Sequence, residues 1–533
     1  MNKAQQSISR GAFDAAPGVV YLVGGGPGDP GLITVRGAEL LASADIVLHD
    51  ELVHPALLER VREGAEVRHV GKRGGHPDLK QASQAAIDAE LVALARAGKR
   101  VVRLKGGDPF LFGRGSEEAE TLAAAGILFE IVPGVPSPLG ATAYAGISVT
   151  HRDLASSVSF VSASTRAGTE LDWTEFASVR GTLCVLMGMR RLDDLCERLV
   201  RDARRDPATP AAVIQWGTRA EQRVVEGRLD EIAALSRAQE LGSPAIVVVG
   251  PVASLRQTLR WFDLRPLFGK RVLVMRPAGQ AAATADILRR RGAEPIEMPA
   301  ITLGPPPDPA RVTQAVREIG GYDVVAFTSE NGVTWFFRVL DAEGRDARAF
   351  GRARVAAIGA GTSAALLTRG VRADIVPAVF VGEAFANAIL ADPEVSARRA
   401  RGRTRVLVPR ALVGREVVGD RLRDAGCEVD LVPVYETRPV PAALAGALVR
   451  RLEARTIDAV LLTSSSIADS LCDLLGPRAA ELLRGVVVAS IGPVTTATAS
   501  TRGLVVDVTT EISTTDGLVA ALERHFTAAS SIA

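Results

Sequence analysis

The sequence predicts an α/β protein of several domains, and three observations predict it. Short apolar runs alternate with helix-like stretches through most of the chain, the β-α-β rhythm of sheets crossed by helices. Glycine- and proline-rich loops follow several of those runs, at the strand ends where open α/β sheets form their binding crevice. The second half of the chain repeats itself, the mark of a duplicated unit. At 533 residues the chain exceeds one core, and 47% hydrophobic residues supply ample burial.

The elements follow in order. Val19 to Val23, Ile46 to His49, Val67 to Val70 and Val101 to Leu104 are short apolar runs separated by helix-like Gly31 to Ser43 and Gln84 to Ala97. A second set follows at Val158 to Ser162, Leu183 to Met187, Ala212 to Trp216 and Ala245 to Val249, with Pro133 to Pro138 as the hinge between sets. The segment Trp261 to Gly269 breaks the rhythm and marks the main boundary. Beyond it, Arg271-Val-Leu-Val-Met-Arg276 matches Arg405-Val-Leu-Val-Pro-Arg410, and Tyr322 to Ser329 matches Ile457 to Ser464. Ala357 to Thr362 likewise matches Ser490 to Thr495 at nearly constant spacing. Two similar α/β units with a ligand cleft between them are expected.

Composition removes several classes. A formal net charge of +2 leaves no nucleic-acid footprint. The basic run Arg398 to Arg405 reads as a solvated linker or helix end. Four dispersed cysteines form no CxxC, so a reducing cytoplasm is expected and a disulfide framework is not. Six histidines show no HExxH spacing, so no metal is implied. The polar first 17 residues read as a disordered terminus, and no apolar run reaches membrane-spanning length.

The chemistry of the first half sits in three loops. Gly24-Gly-Gly-Pro-Gly-Asp-Pro30, Gly106-Gly-Asp-Pro-Phe-Leu-Phe-Gly-Arg-Gly115 and Pro133-Gly-Val-Pro-Ser-Pro138 each follow an apolar run, and glycine lets backbone approach a ligand closely. The first is not a dinucleotide fingerprint, because Asp29 stands where the third glycine belongs. Asp50 ends one strand and Lys72 follows another. Alone, Asp50 reads equally as a helix cap or turn acceptor, and Lys72 reads more often as a solvated turn lysine.

GGGPGDP, ADIVLHDELV, VGKRGG, LKGGDPFLFGRGSEEAE, YAGISVTHRD and VLMGM occur in this order. They resemble the tetrapyrrole methylase family, in particular uroporphyrinogen-III C-methyltransferase, over Gly18 to Phe262. The resemblance implies S-adenosylmethionine (SAM) as methyl donor, with S-adenosylhomocysteine as product, held between two α/β domains. It places SAM at Pro27, Gly106, Gly107, Asp108, Leu111, Pro136, Ser137, Met187 and Gly217. It makes Asp50 the proton acceptor and Lys72 the proton donor, suited to moving protons about a macrocycle during C-methylation. Arg73, Arg114 and Arg152 are expected clamps for a polycarboxylate substrate. The sequence departs from the family pattern at His49, Asp88, Pro136 and Pro138, so altered substrate contacts are expected.

The duplicated half carries few acids or bases. Hydroxyls and glycines cluster after its strands at Thr328-Ser329, Gly359 to Ser363, Thr463 to Ser466 and Gly492 to Thr496. Such loops suit an anionic ligand, although each hydroxyl alone is a helix N-cap candidate. MRPAGQ, FTSENGV, IGAGT, LVPR, VPVYETRP, LLTSSS and SIGPVT resemble uroporphyrinogen-III synthase over Gly269 to Gly517. That resemblance implies cyclisation of hydroxymethylbilane with inversion of the last ring. It assigns Tyr435 to assisting water loss and pairs Thr362 with Thr495 in the cleft, with Thr328, Ser329 and Ser464 as further substrate contacts.

The expected architecture is therefore a two-domain methylase, 18–132 and 133–262, joined by linker 263–268 to a two-domain synthase. In the synthase, 269–302 pairs with 437–533 around an inserted 303–436. The expected protein is a cytoplasmic, bifunctional enzyme that makes uroporphyrinogen III and methylates it to precorrin-2, towards sirohaem or cobalamin. Family resemblance adds a homodimer through the methylase half, with no nucleic-acid or membrane partner. Two other readings stay open: methylation of a later corrinoid or of a non-tetrapyrrole, and one half kept only as a binding or scaffold module. Product analysis separates the first, and saturable binding without turnover would mark the second.

Overall fold

The computed structural model describes residues 18–62, 64–71, 83–164, 172–276, 278–299, 302–413, 416–438, 440 and 442–530. The N-terminal segment 1–17, Lys72 and Arg73 lie outside them. The chain divides into two compact units. One holds the described residues through Arg271, with Ile287–Glu294 and those from Glu523 on, and the other holds Val272–Asp286 and Pro295–Leu522.

The first unit opens on a sheet of β1 (Val19–Gly24), β2 (Ile46–His49), β3 (Glu66–His69), β4 (Val101–Lys105) and β5 (Leu128–Val132), ordered β3-β2-β4-β1-β5. Its paired strands all run parallel. Alternate residues of β1 serve two cores. Val19, Tyr21 and Val23 pack with Leu40 and Leu41 of the helix Val35–Ser43, whereas Val20 and Leu22 pack with Ile87 and Leu91 of the helix Gln84–Arg96. Both faces are covered, which is why the central strands read as unbroken apolar runs. β5 interrupts its apolar run with Glu130, whose carboxylate pairs with Arg36 at 2.9 Å, and this hides it from a search for apolar runs.

The second sheet holds β6 (Val158–Ser162), β7 (Thr182–Leu186), β8 (Pro210–Gln215), β9 (Arg223–Arg228) and β10 (Ala245–Val249), ordered β6-β7-β10-β8-β9. It is mixed: β6 and β7 are parallel, and the remaining pairs are antiparallel. β9 was not among the expected strands. Its burial alternates along an edge, so it lacks a continuous apolar signal.

The second unit holds β11 (Arg271–Val274), β12 (Glu294–Glu297), β13 (Thr302–Gly304), β14 (Val324–Phe327), β15 (Arg354–Ala357), β16 (Arg405–Ala411), β17 (Glu428–Arg438), β18 (Ala459–Leu462), β19 (Val487–Ser490) and β20 (Val508–Thr509). Its two sheets run β12-β11-β18-β19-β20 and β13-β17-β16-β14-β15. The sequence repeat reappears as the same core order, with β12-β11-β18-β19 corresponding to β17-β16-β14-β15. Each of these cores takes its first two strand positions from one copy and the next two from the other. β17 extends this exchange: residues 428–435 pair with β16, and its end pairs antiparallel with β13. Among the described residues no helix is long and apolar enough to cross a membrane.

Candidate active sites

In the first sheet the neighbours β2, β4, β1 and β5 deliver their following loops to one edge, at the point where strand order reverses. The loops meet backbone to backbone. Gly26 N–H donates to Gly107 O at 3.1 Å, Gly107 N–H donates back at 2.7 Å, and Gly25 N–H reaches Lys105 O at 2.7 Å. A Cβ on Gly134 would stand 2.3 Å from Gly107 O and 2.8 Å from Gly24 Cα. The three glycine loops singled out in the sequence are therefore one packed structure. Asp108 fastens it by accepting from Phe110 N–H at 2.8 Å and Gly134 N–H at 3.0 Å.

Asp29, which spoils the dinucleotide fingerprint, has a different task. Its N–H donates to Thr218 Oγ1 at 2.8 Å, and its carboxylate accepts from Tyr144 Oη at 2.7 Å and Gly31 N–H at 2.7 Å. It joins the first loop to the hinge helix Ser137–Tyr144 and to the turn after β8. Burial, then the hydrogen bond to Asp29, raises the Tyr144 pKa above the usual phenol value.

Between these loops and the second sheet lies a cavity of about 250 Å³. Pro27, Gly106, Gly107, Ser137, Met187 and Gly217 line it, together with Leu52, Ile214, Trp216 and Arg219. Asp108, Leu111 and Pro136 stand off this wall, and Arg114 is engaged with Glu117 at 2.9 Å. Arg152 is exposed. Trp216 and Arg219 were not anticipated. The Arg219 guanidinium lies 4.9 Å from the Trp216 ring centroid and donates to Leu52 O at 2.7 Å. Met187, Trp216 and Thr218 all hold left-handed backbones, with φ of 58°, 49° and 70°. Non-glycine residues in that region store strain, which concentrates at functional sites. No residue-type pattern announces it in the sequence.

Asp50 leaves β2 two residues before Leu52. Its Oδ1 accepts from Arg103 Nη2 at 2.5 Å, and Lys105 Nζ is 4.0 Å from Oδ2. Glu118, fully buried in the helix Gly115–Ala124, accepts from Arg103 Nε at 3.1 Å and Lys105 Nζ at 3.0 Å. Burial alone would lower the Arg103 pKa, but Asp50 and Glu118 carry it above its ordinary value. Burial and then Arg103 lower that of Lys105. A signal for this cluster existed: Arg103 and Lys105, two apart on a central strand, share a face and need buried carboxylates.

In the second unit a cavity of about 420 Å³ is lined by Thr328, Ser329, Tyr435, Arg410, Glu383 and Phe380, among others. Tyr435 Oη lies 3.3 Å from Ser329 Oγ. Ser329 also caps the helix Glu330–Ala342 by accepting from Gly332 N–H at 3.0 Å. Ser464 caps the helix Ser465–Leu475 in the same way, and its backbone matches within a few degrees (φ −166° against −165° at Ser329). Thr362 and Thr495 occupy equivalent first-turn positions of their helices, each 5% exposed. Thr362, Ser464 and Thr495 do not line this cavity. Arg410, 8% exposed, was missed: a lone cation in the apolar strand Val406 to Pro409 was its signal.

Comparison with known proteins gives two family matches. The model for tetrapyrrole (corrin/porphyrin) methylases matches residues 19–233, and that for uroporphyrinogen-III synthase HemD matches residues 282–520. A porphyrin biosynthesis protein HemD of Ruminiclostridium josui is 38% identical over 422 residues, 79% of this chain and 82% of its own length. A uroporphyrinogen-III C-methyltransferase of Bacillus subtilis is 40% identical over 334 residues, covering 62% of this chain and 68% of that one. A crystal structure of a Thermus thermophilus uroporphyrin-III C-methyl transferase, complexed with S-adenyl homocysteine, is 38% identical with a TM-score of 0.39, covering 44% of this chain and 99% of that chain.

Proposed function

We propose that this chain, which belongs to the tetrapyrrole methylase family in its N-terminal half and to the uroporphyrinogen-III synthase family in its C-terminal half, is a bifunctional enzyme of tetrapyrrole biosynthesis. The C-terminal half cyclises hydroxymethylbilane to uroporphyrinogen III. The N-terminal half methylates that product to precorrin-2, through precorrin-1. The observation that carries the reading is the convergence of the Gly24, Gly106 and hinge loops on one cavity faced by Met187 and Gly217.

The cavity suits SAM. Apolar Leu186, Met187, Ile214 and Ile246 can cover a flat base, while glycine backbone at Gly26, Gly106 and Gly107 leaves donors and acceptors uncovered by side chains. Pro27, Gly106, Gly107, Ser137, Met187 and Gly217 hold it directly, with Asp108, Leu111 and Pro136 shaping the loops behind. When bound, SAM supplies an electrophilic methyl on a sulfonium. Asp50 takes the one net proton that the macrocycle loses on methylation, and Lys72 is the proton donor that balances any second proton taken off as protons are redistributed about the ring. Arg73, Arg114 and Arg152 hold substrate carboxylates.

In the second unit the chain's task is to hold a folded bilane so that inverted closure wins. Tyr435 directs its hydroxyl at the departing hydroxyl, with Thr328 and Ser329 beside it. Thr362, Ser464 and Thr495 shape the equivalent helix starts that face the substrate's carboxylates. The domains run 18–132, 133–262, 269–302 with 437–533, and 303–436. The enzyme works in the cytoplasm as a homodimer through the methylase half. The test is incubation of the full chain with hydroxymethylbilane, with and without SAM, followed by mass and isomer analysis. Uroporphyrinogen III without SAM and a dimethylated product with it are expected. Isomer I alone, or unmethylated product with SAM, removes the corresponding half of the reading.

A further inference from the structure

We propose that Arg103, locked in place by Glu118, is the positioning residue that sets the orientation of the Asp50 carboxylate at the methylation site. The proposal rests on Asp50 as proton acceptor and adds how that group is held.

Every nitrogen of the Arg103 guanidinium is engaged. Nη2 donates to Asp50 Oδ1 at 2.5 Å and Nε to Glu118 Oε1 at 3.1 Å. Nη1 lies 3.5 Å from Leu48 O and 3.4 Å from Leu104 O. The planar fork cannot rotate without breaking contacts to β2, β4 and the helix Gly115–Ala124 together. It therefore presents one fixed donor direction to Asp50. Lys105 cannot do this, because its Nζ, 4.0 Å from Oδ2, is beyond hydrogen-bond reach and donates to Glu118 instead.

The charge pattern points the same way. Two cations and Glu118 lie at most 3% exposed, while Asp50 keeps 28% of its side chain open. A buried ion cluster is weak evidence for stability, since desolvation offsets much of the attraction. Here it ends in one carboxylate at the mouth, two residues from the cavity-lining Leu52. Fixing one Asp50 oxygen on Arg103 leaves the other for the substrate's proton. A carboxylate free to turn would spend much of its time misaligned, and misplacement of about 1 Å costs on the order of 10²-fold.

Among the described residues, the other titratable groups around Asp50 are His49 and Glu51 on its own segment, and His69 on β3. The His49 ring stands 5.2 Å from that of His69, and His69 Nε2 is 2.9 Å from Glu51. Arg103→Lys keeps the charge and removes the fork, so it separates orientation from charge.

Arg103→Lys, Glu118→Gln and Asp50→Asn are compared in the full chain. The readouts are methylation kcat and KM, the acid limb of the kcat–pH profile, the Kd for S-adenosylhomocysteine and the cyclisation rate as an internal control. Arg103→Lys is expected to lower kcat by about 10- to 100-fold and to move the acid limb. KM, S-adenosylhomocysteine affinity and cyclisation should stay at wild-type values. If Arg103→Lys does not fold, Glu118→Gln, which takes the negative charge from the Nε anchor and so loosens it without touching Asp50, carries the same expectation. Wild-type kcat and pH profile in whichever of these variants is folded, beside a slow Asp50→Asn, overturn the proposal and leave the Asp50 reading standing. Wild-type turnover by Asp50→Asn sinks that reading and the proposal with it.

Discussion

The two cavities are backed by different chemistry. Behind the first stand Arg103, Lys105 and Glu118, buried charges that end on Asp50. The second is walled by the hydroxyls of Thr328, Ser329 and Tyr435 at a helix start, with Arg410 and Glu383 as the charged residues on its wall. The difference matches the two reactions. Methylation at a ring carbon must remove a proton, which calls for a charged group held at a defined angle. Closure of a bilane whose terminal hydroxyl leaves easily needs chiefly a fixed fold of the substrate, which hydroxyls and helix starts can supply. Burying charge costs free energy, and Arg103, Lys105 and Glu118 carry that cost directly behind Asp50.

The sharpest break would come from Asp50→Asn. It should slow methylation by about 10²- to 10⁴-fold and leave S-adenosylhomocysteine binding and cyclisation intact. Equal loss of both reactions would mean the variant acts through folding, and the contrast would fail.

Gly134→Ala tests whether the first cavity is a backbone structure. Its new Cβ would meet Gly107 O at 2.3 Å, and neither partner is a side chain that can swing aside. A destabilisation of roughly 1–3 kcal/mol is expected in chemical denaturation, with weakened S-adenosylhomocysteine binding by calorimetry. Unchanged affinity would show that the loop junction does not shape the site.

Between about pH 6.5 and 5 a pH effect is expected in the first unit. Burial, then the Arg219 charge, holds His54 down to about 3 against an ordinary 6.5. Its Nδ1 accepts from Ala56 N–H at 3.2 Å, a bond that protonation at that nitrogen removes. Between those values the unfolded chain binds the extra proton, so stability is full above about pH 6.5 and declines as pH falls towards 3. The loss from pH 6.5 to 5 is about 1.5 kcal/mol. His54→Asn keeps a capping acceptor and should flatten this dependence in urea melts at the two pH values. A wild-type slope in the variant would assign the dependence elsewhere.

The smallest effect is expected in the second unit. Tyr435→Phe removes the hydroxyl 3.3 Å from Ser329 and should lower cyclisation by up to about 10-fold. The III:I isomer ratio should fall, and methylation of supplied uroporphyrinogen III should not change. A loss as large as that of Asp50→Asn would place proton chemistry in both cavities and erase the distinction.

Much of the architecture is legible in the sequence. Strand positions, the three glycine loops and the repeat follow from local composition, because apolar runs and glycine report burial and close approach directly. β5 and β9 escaped because Glu130 and the edge pattern of Arg223 to Arg228 dilute the apolar signal. The hydroxyls of the second half were legible as types but not as a set. Ser329 and Ser464 are equivalent caps, yet only Ser329 meets Tyr435 at a cavity wall.

The sequence by itself determined the fold class, the duplication and the residue types that converge on each site, since these depend on periodicity and on chemistry carried by single side chains. Tertiary structure decided which of them touch. It exchanged the first strands of the two repeats between sheets, because β11 pairs with β18 and β16 pairs with β14. It also turned Asp29 into a tie between two sheets and put Met187, Trp216 and Thr218 into left-handed backbone. Above all it gave Asp50 its partner Arg103, and Arg103 its own partner Glu118. Arg103 and Glu118 are 53 and 68 residues away along the chain, and the 2.5 Å and 3.1 Å contacts exist only because β2, β4 and the helix after it pack side by side.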